Sequence, residues 1–318
     1  MPSPSFYPAT LLLHGGSGRL HPPGTPFPQQ AAYTRTLSEA AHAGYAVLTS
    51  GGTSLDAVET SLQLLEDSPL FNAGRGSVFS RAGVNEMDAA LMDGATLRAG
   101  AVAGVRTVKN PITAARAVLE RSPYVLLTGA GADEFAAHMG LETAPAAWFR
   151  TEERWQQWQA LQGGAAPGST RWDVDLPATK YGTVGAVALD QAGHLAAGTS
   201  TGGMLNKAYG RVGDSPLIGA GTYANHGCAV SGTGHGEYFI RHAVAHDIAA
   251  IVEYTGLGVQ EAAQQVIDKV ARAGGRGGVI ALDWQGHAAM PHSTEGLFWA
   301  LVSADGRAET NVCHMIIE

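Results

Sequence analysis

Cysteine is scarce in this chain: its 318 residues include two, Cys228 and Cys313, far apart and in no metal-ligand spacing. That excludes a disulfide framework and suits a reducing compartment. Charge is also thin, at 15% of residues, and the 20 Lys+Arg against 28 Asp+Glu leave a formal net charge of −8. Nothing here gives a basic footprint for nucleic acid or an anionic membrane, so neither partner is expected. No apolar run approaches the length of a membrane span. The stretch "MPSPSFYPATLLLHGG" has no basic n-region and only a short apolar core, unlike a signal peptide. No Lys follows a Gly, which removes the P-loop. What remains is a 45% hydrophobic chain, ample for a large core, with 42 Gly in short clusters at the ends of apolar runs. Such glycines mark turns and close backbone approaches. A cytoplasmic enzyme is the expected class.

The hydrophobic pattern divides the chain. "ATLLLHGGSG" (9–18) reads as a buried strand ending in a glycine turn. Residues 29–49 have helical spacing, with Gly51-Gly52 closing the helix. "TSLDAVETSLQLLED" (53–67) has Thr53 or Ser54 as N-cap and Leu55, Val58, Leu62 and Leu65 on one face. "GATLRAGAVAGV" (94–105) alternates like a strand, and "NPITAARAVLERSP" is a helix with Pro in its first turn. "YVLLTGAGADEFAAHMG" gives a strand, a turn and a helix. From about 141 to 178 the periodicity is poor, apart from a turn or two in "TEERWQQWQALQ"; this reads as a flexible linker. Afterwards come two hairpins of one cadence, "TVGAVALDQAGHLAAGTSTGG" (183–203) and "GGVIALDWQGHAAMPHSTEG" (277–296). Helical sequence lies between them, including Leu257 to Ala273. One α+β domain with helices outside antiparallel sheets fits this better than a parallel Rossmann sheet.

Three motifs fail on context. Gly232-Thr233-Gly234-His235-Gly236 resembles a dinucleotide loop, but no acidic residue follows at the required distance. Gly198-Thr199-Ser200-Thr201-Gly202 matches G-x-S-x-G, but no helix follows to make a nucleophile elbow. His242 and His246 share a face of an expected helix, yet Ala-Val-Ala separates them and a zinc pair needs a Glu beside the first His and a third ligand.

The remaining constellation is Gly182-Thr183, Thr201, Arg211 with Asp214, and Thr233-Gly234. A Thr hydroxyl is a weak nucleophile without a base beside it. A chain-terminal Thr supplies its own, an α-amine titrating at roughly 7.7–8.0. That amine exists only if the Gly182–Thr183 bond is cut, and Gly182 lets the backbone bend for the Thr183 hydroxyl to attack it. On its own, Gly-Thr-Val reads as an ordinary strand start, and only its context raises the other reading. "GRVGDSP" sets a planar two-pronged donor and a carboxylate three residues apart; they could grip a carboxylate and an ammonium, or pair with each other as a surface salt bridge.

The motifs "YGTVGAVALD", "GTSTGGMLNKAYGRVGDSPLIGAGTYA" and "GTGHGE" resemble the plant-type (type III) L-asparaginases, also called isoaspartyl aminopeptidases, which are N-terminal nucleophile (Ntn) hydrolases. "LLLHGGSG", "SPLFNAGRGSVF" (68–79), "NEMDAALMDG" (85–94), "NPITAAR" and "STEG" extend the resemblance over nearly the whole chain. It implies one Ntn-hydrolase domain over 1–318 with an αββα four-layer sandwich. It also implies autocleavage into an α-subunit (1–182) and a β-subunit (183–318), and a homodimer of αβ units. The implied substrates are β-aspartyl dipeptides and L-asparagine. By position Thr183 is the nucleophile, Thr201 and Thr233 support it, and Asn72 and Gly234 contact the oxyanion or substrate. Arg211 and Asp214 anchor the substrate's α-carboxylate and α-ammonium, with Gly236 on the same rim. No catalytic cofactor is implied, but a structural Na⁺ is, on backbone carbonyls of Leu65, Glu66, Ser68, Phe71, Ala73 and Arg75. "HSTEG" (292–296) departs from the expected Asn-Thr-Glu-Gly by carrying Ser293 in place of Asn, which bears on substrate breadth. Two other readings stand: a glycosylasparaginase of the same fold, opposed by the lack of a signal peptide, of N-x-[ST] sites and of disulfides, and an uncleaved, non-catalytic binding protein.

Overall fold

The structure, a computed structural model, describes residues 7–18, 29–162 and 182–312. In chain order it runs β1 (Thr10–Ser17), α1 (Gln30–Thr49), α2 (Ser54–Asp67), β2 (Met87–Asp93), β3 (Ala99–Val105), α3 (Pro111–Arg121), β4 (Leu126–Thr128), α4 (Gly129–His138), α5 (Ala146–Phe149) and α6 (Glu152–Gln162). It continues with β5 (Val184–Leu189), β6 (Leu195–Thr201), β7 (Thr222–Ala224), β8 (Cys228–Gly234), α7 (Gly236–His242), α8 (Val244–Thr255), α9 (Val259–Arg272), β9 (Gly277–Asp283), β10 (Ala288–Ala289), β11 (Leu297–Val302) and β12 (Ala308–Asn311).

Two sheets form. One has eight strands in the order β12-β11-β1-β5-β6-β2-β3-β4, the other four in the order β10-β9-β8-β7. Among the named strands, only β3 and β4 pair in parallel. The sheets face each other, and the period-2 alternation of their strands sorts apolar residues onto two sides. Leu12, Val187, Leu189, Ile280 and Leu282 point between the sheets. Leu11, Leu13, Val184, Ala186 and Ala188 point the other way, under α1, α2 and α3. Val230, Val279 and Ala281 point under α8 and α9. The central strands are therefore buried on both faces, which explains their continuous apolar runs in a largely antiparallel protein.

The α+β class read from sequence holds, as do both hairpins. The Thr53 N-cap is a full capping box: its hydroxyl accepts from the Asp56 N–H while the Asp56 carboxylate accepts from the Thr53 N–H. Three readings need correction. The strand expected over 94–105 begins only at Ala99, because Leu97 turns the chain with φ 60°. The linker expected from about 141 contains α5 and α6, with Phe149 and Arg154 buried. The turn or two read in "TEERWQQWQALQ" is a full helix; its extent is not legible because it has no apolar face, and aromatic stacking and one buried cation dock it. The rest of that segment, 163–178, lies outside the described residues. Finally, His242 and His246 do not share a helix face, since Ala243, at φ 46°, separates α7 from α8. Among the described residues no group of three or more His, Cys, Asp or Glu could hold a metal ion.

Candidate active site

The first hairpin brings the threonines together. Val184 pairs with Ser200 across β5 and β6, so Thr183 meets the last residue of β6. The Thr183 hydroxyl donates to Thr201 Oγ1 at 3.1 Å, and Thr201 Oγ1 accepts the Gly203 N–H at 3.0 Å. Thr233 comes from the other sheet. Ser231 on β8 faces Gly185, where an added Cβ would fall 2.0 Å from Ser231 Oγ. Thr233 lies two residues further along the same face, wholly buried, and its hydroxyl has no partner among the described residues.

Asn72 is tied to this centre by four hydrogen bonds. Its backbone N–H donates to the Gly182 carbonyl at 3.0 Å, and its carbonyl accepts the Gly202 N–H at 2.9 Å. Its side-chain Nδ2 donates to the Gly203 carbonyl at 2.7 Å, and Oδ1 accepts the Val78 N–H at 2.9 Å. The carbonyl of the Gly182–Thr183 bond is thus already gripped by an N–H donor. Residue 182 must be small, because an added Cβ would stand 2.8 Å from Asn72 Cβ.

Arg211 and Asp214 do not form the surface salt bridge that sequence left open. Arg211 forks instead onto Glu237, with Nε and Nη2 donating to the two carboxylate oxygens at 3.0 and 3.1 Å. Burial pushes the Glu237 pKa up, but the hydrogen bond and charge of Arg211 bring it below the ordinary value. Asp214 is buried, and its Oδ2 has no partner among the described residues. Burial pushes its pKa up to about 7 despite its own N–H and Arg211. Both side chains converge on Gly236, where an added Cβ would lie 2.7 Å from Arg211 Nη2 and 2.9 Å from Asp214 Oδ1. Gly234, at φ 157°, leads from β8 into this rim. Ser293, the departure in "HSTEG", donates its N–H to the Gly277 carbonyl at 2.8 Å, and Gly277 pairs with Gly234.

Sequence reasoning missed four polar residues around this centre. Glu237 is the first, and its place beside Gly236 in "GHGE" was the available signal. The second is His14, wholly buried behind Gly185 with Nε2 3.0 Å from Ser231 Oγ. Burial holds its pKa down at about 3, so it is neutral at physiological pH. The third and fourth are Lys207 and Asp88, a buried pair 3.7 Å apart beneath Gly203. Asp88 stands opposite Thr201 in the sheet.

Ser200, the would-be elbow serine, donates to Glu66 Oε1 at 2.6 Å inside the sheet. Glu66 Oε2 has no partner among the described residues, and burial raises the pKa to about 8 from an ordinary 4.5. The unfolded carboxyl therefore releases its proton first as pH rises. The folded state binds more protons across that window, so this group lowers stability from about pH 4.5 to about 8. Thermal midpoints measured in choline buffer are expected to fall more steeply over this range in the natural protein than in Glu66→Gln. Equal slopes would remove this account of Glu66.

A family model described as asparaginase matches residues 7–312. The isoaspartyl peptidase of Salmonella typhimurium is 47% identical over 295 residues, 92% of this chain and 94% of that protein. The isoaspartyl peptidase/L-asparaginase of Rattus norvegicus is 41% identical over 306 residues, 95% of this chain and 88% of that one. The plant-type L-asparaginase of Pyrococcus abyssi is 42% identical over 305 residues, 92% and 95% respectively. With its threonine pair, its gripped Gly182 carbonyl and these matches along its length, the chain belongs to the asparaginase family.

Proposed function

We propose that the chain is an autoprocessed threonine hydrolase that cleaves β-aspartyl dipeptides and L-asparagine and releases L-aspartate. The observation that carries this reading is the Gly182 carbonyl, held by the Asn72 N–H at 3.0 Å directly before a buried Thr183 hydroxyl. In the uncut chain the Thr183 hydroxyl attacks that carbonyl, and the acyl group passes from nitrogen to oxygen. Water then hydrolyses the ester, leaving Gly182 as a carboxylate and Thr183 with a free amine. That amine is the base for the next reaction.

Asparagine and a β-aspartyl peptide share an α-carboxylate and an α-ammonium, and differ only in the amine that leaves the side-chain carbonyl. Arg211 holds Glu237 on its Nε–Nη2 edge and presents its Nη1–Nη2 edge as a forked donor for the carboxylate, and the ammonium supplies a counter-charge to buried Asp214. Thr183 attacks the side-chain carbonyl and its own amine takes the proton. Donors from Asn72, Thr233 and Gly234 hold the oxyanion, each worth roughly 2.7–4 kcal/mol. The protonated amine leaves, and water releases aspartate from the acyl-enzyme.

Three separate apolar clusters, one between the sheets and one under each helical layer, support an αββα sandwich of the Ntn type. The α-subunit is 1–182 and the β-subunit 183–318, paired in a homodimer. No helix among the described residues is long and apolar enough to cross a membrane; a cytoplasmic location fits the chain's low cysteine content. A structural Na⁺ fits the loop after α2. The helix ends at Asp67 and Pro69 has no N–H to donate to the Leu65 carbonyl, leaving oxygens of the kind a hard cation takes. The carbonyls of Leu65, Glu66, Ser68, Phe71, Ala73 and Arg75 would hold it, and the ion would brace the loop without entering the chemistry.

Incubating the purified protein with β-aspartyl-leucine and with asparagine tests the reading, alongside amino-terminal sequencing of its fragments. A terminus at Thr183 with aspartate released supports it. A stable full-length chain without turnover would instead favour a binding protein of this fold. Arg211→Lys keeps the charge but loses the fork, so kcat/KM should fall about tenfold with cleavage intact. Loss of cleavage would make Arg211 structural instead.

A further inference from the structure

The loop that presents Asn72 is held from below by a residue with no part in the chemistry above. Residues 68–80 run in from α2, turn through Gly74–Gly76, and run out toward β2. Arg154 of α6 reaches into the mouth of this loop and is only 4% exposed. Its Nε donates to the Gly76 carbonyl at 2.9 Å, and its Nη2 to the Leu70 carbonyl at 3.5 Å. One guanidinium therefore bridges the incoming and outgoing limbs, with Asn72 between the two contacts.

The surroundings fix the guanidinium in turn. Nη1 donates to Gln157 Oε1 at 3.1 Å, one helical turn along α6. The Tyr33 hydroxyl shares the Leu70 carbonyl at 2.7 Å. The helix is docked by Trp155 and Trp158, stacked at 4.8 Å, with Trp155 edge-on to Phe79 of the same loop at 5.2 Å. The Arg150 guanidinium covers Trp155 at 4.3 Å. A buried cation is costly unless its donors are satisfied. Here Nε and Nη2 reach carbonyls on both sides of the residue that must be placed, and Nη1 reaches the Gln157 side chain.

We infer that Arg154 is a positioning residue for Asn72, clamping the two limbs of its loop so that the Asn72 donors meet the reacting carbonyl. This rests on the proposed role of Asn72 at the oxyanion. It also gives α6 a task. The helix is the last described element before Gly182, so in a chain cut there it belongs to the α-subunit, and it has to stay docked for the β-subunit's nucleophile to work.

Arg154→Met keeps the length of the side chain and removes the donors. Its kcat for β-aspartyl-leucine, normalised to the fraction carrying a Thr183 terminus, is expected to fall about 10- to 100-fold, the cost of a small misplacement. KM should stay within about threefold, because Arg211 and Asp214 are untouched. A residue that only stabilises the fold would lower the thermal midpoint and leave kcat per cut molecule unchanged. Coupling separates the two further: in an Asn72→Ala background, Arg154→Met should cost little more. Should Arg154→Met be insoluble, Arg154→Gln, which reaches one limb only, is judged by the same criteria. Unchanged kcat per cut molecule, or losses that multiply in full with Asn72→Ala, overturns the inference. An Asn72→Ala enzyme with natural kcat also overturns it by removing its premise. The natural protein is assayed in parallel: no cut and no aspartate there is failure of the hydrolase reading, not of the clamp alone.

Discussion

Thr183→Ala should accumulate as one uncut chain and lose aspartate release by on the order of 10⁴-fold or more, the scale on which nucleophile removal is felt. Both losses have one origin. Without Oγ1 nothing attacks the Gly182 carbonyl, although the Asn72 N–H still grips that carbonyl at 3.0 Å. Without the cut there is no free amine to act as base. The fold itself should survive, because the side chain sits just before β5 and, among the described residues, its hydroxyl makes one hydrogen bond, to Thr201 at 3.1 Å. Thr183→Ser separates hydroxyl from methyl. It should still be cut, but more slowly, with activity down about tenfold, since only the branched side chain is stiff at χ1. Mass spectrometry of the purified variants and an aspartate-release assay read both effects. Thr183→Ala cut before residue 183, or releasing aspartate at the natural rate, would assign the nucleophile elsewhere.

Local geometry was legible in the sequence, and long-range company was not. The hairpin over 183–203 announces itself by two apolar runs around Gln191–His194, and its register brings Thr183 to Thr201. The meeting of Arg211, Asp214 and Gly236 follows from glycine-rich turns on either side of β8. Glu237 was harder, because its partner lies 26 positions away and either of two carboxylates could have taken the Arg211 fork. Arg154 gave no sign at all: within "TEERWQQWQ" it looks like any solvated charge, and only the approach of Leu70 and Gly76 makes it a buried one. His14 sits in a strand whose every residue is buried, so apolar patterning counts it as one more core position. β2 was hidden for a related reason. It is buried on both faces, so it shows no alternation to read.

Asp214→Asn is expected to lower kcat/KM by on the order of 10²–10³-fold while raising stability at alkaline pH, and the opposite signs identify the role. For catalysis, on the proposed role of Asp214 the variant removes the counter-charge to the substrate ammonium, the kind of buried charge pairing whose loss costs roughly 2–5 kcal/mol. For stability, the carboxyl has a folded pKa raised to about 7 from 3.8, because burial outweighs the pull of Arg211 while Glu237 and Asp88 push the same way as burial. The folded state then binds more protons than the unfolded between those values, so Asp214 lowers stability as pH rises through the window, and the full penalty stands above about 7. The thermal midpoint of Asp214→Asn relative to the natural protein should therefore move upward between pH 4 and pH 8. The same titration shapes the rate. In the proposed mechanism substrate needs Asp214 ionised and the Thr183 amine neutral, so log kcat/KM should climb with pH on two ionisations in the natural enzyme. In Asp214→Asn the carboxyl limb disappears and only the amine, at roughly 7.7–8.0, remains. A carboxyl kept for packing would give the stability shift with unchanged kinetics. A carboxyl that merely steered the approach of substrate would give a rate loss that salt abolishes. Only a buried anchor waiting for a cation combines a large, salt-resistant loss of kcat/KM, the missing limb and a more stable protein.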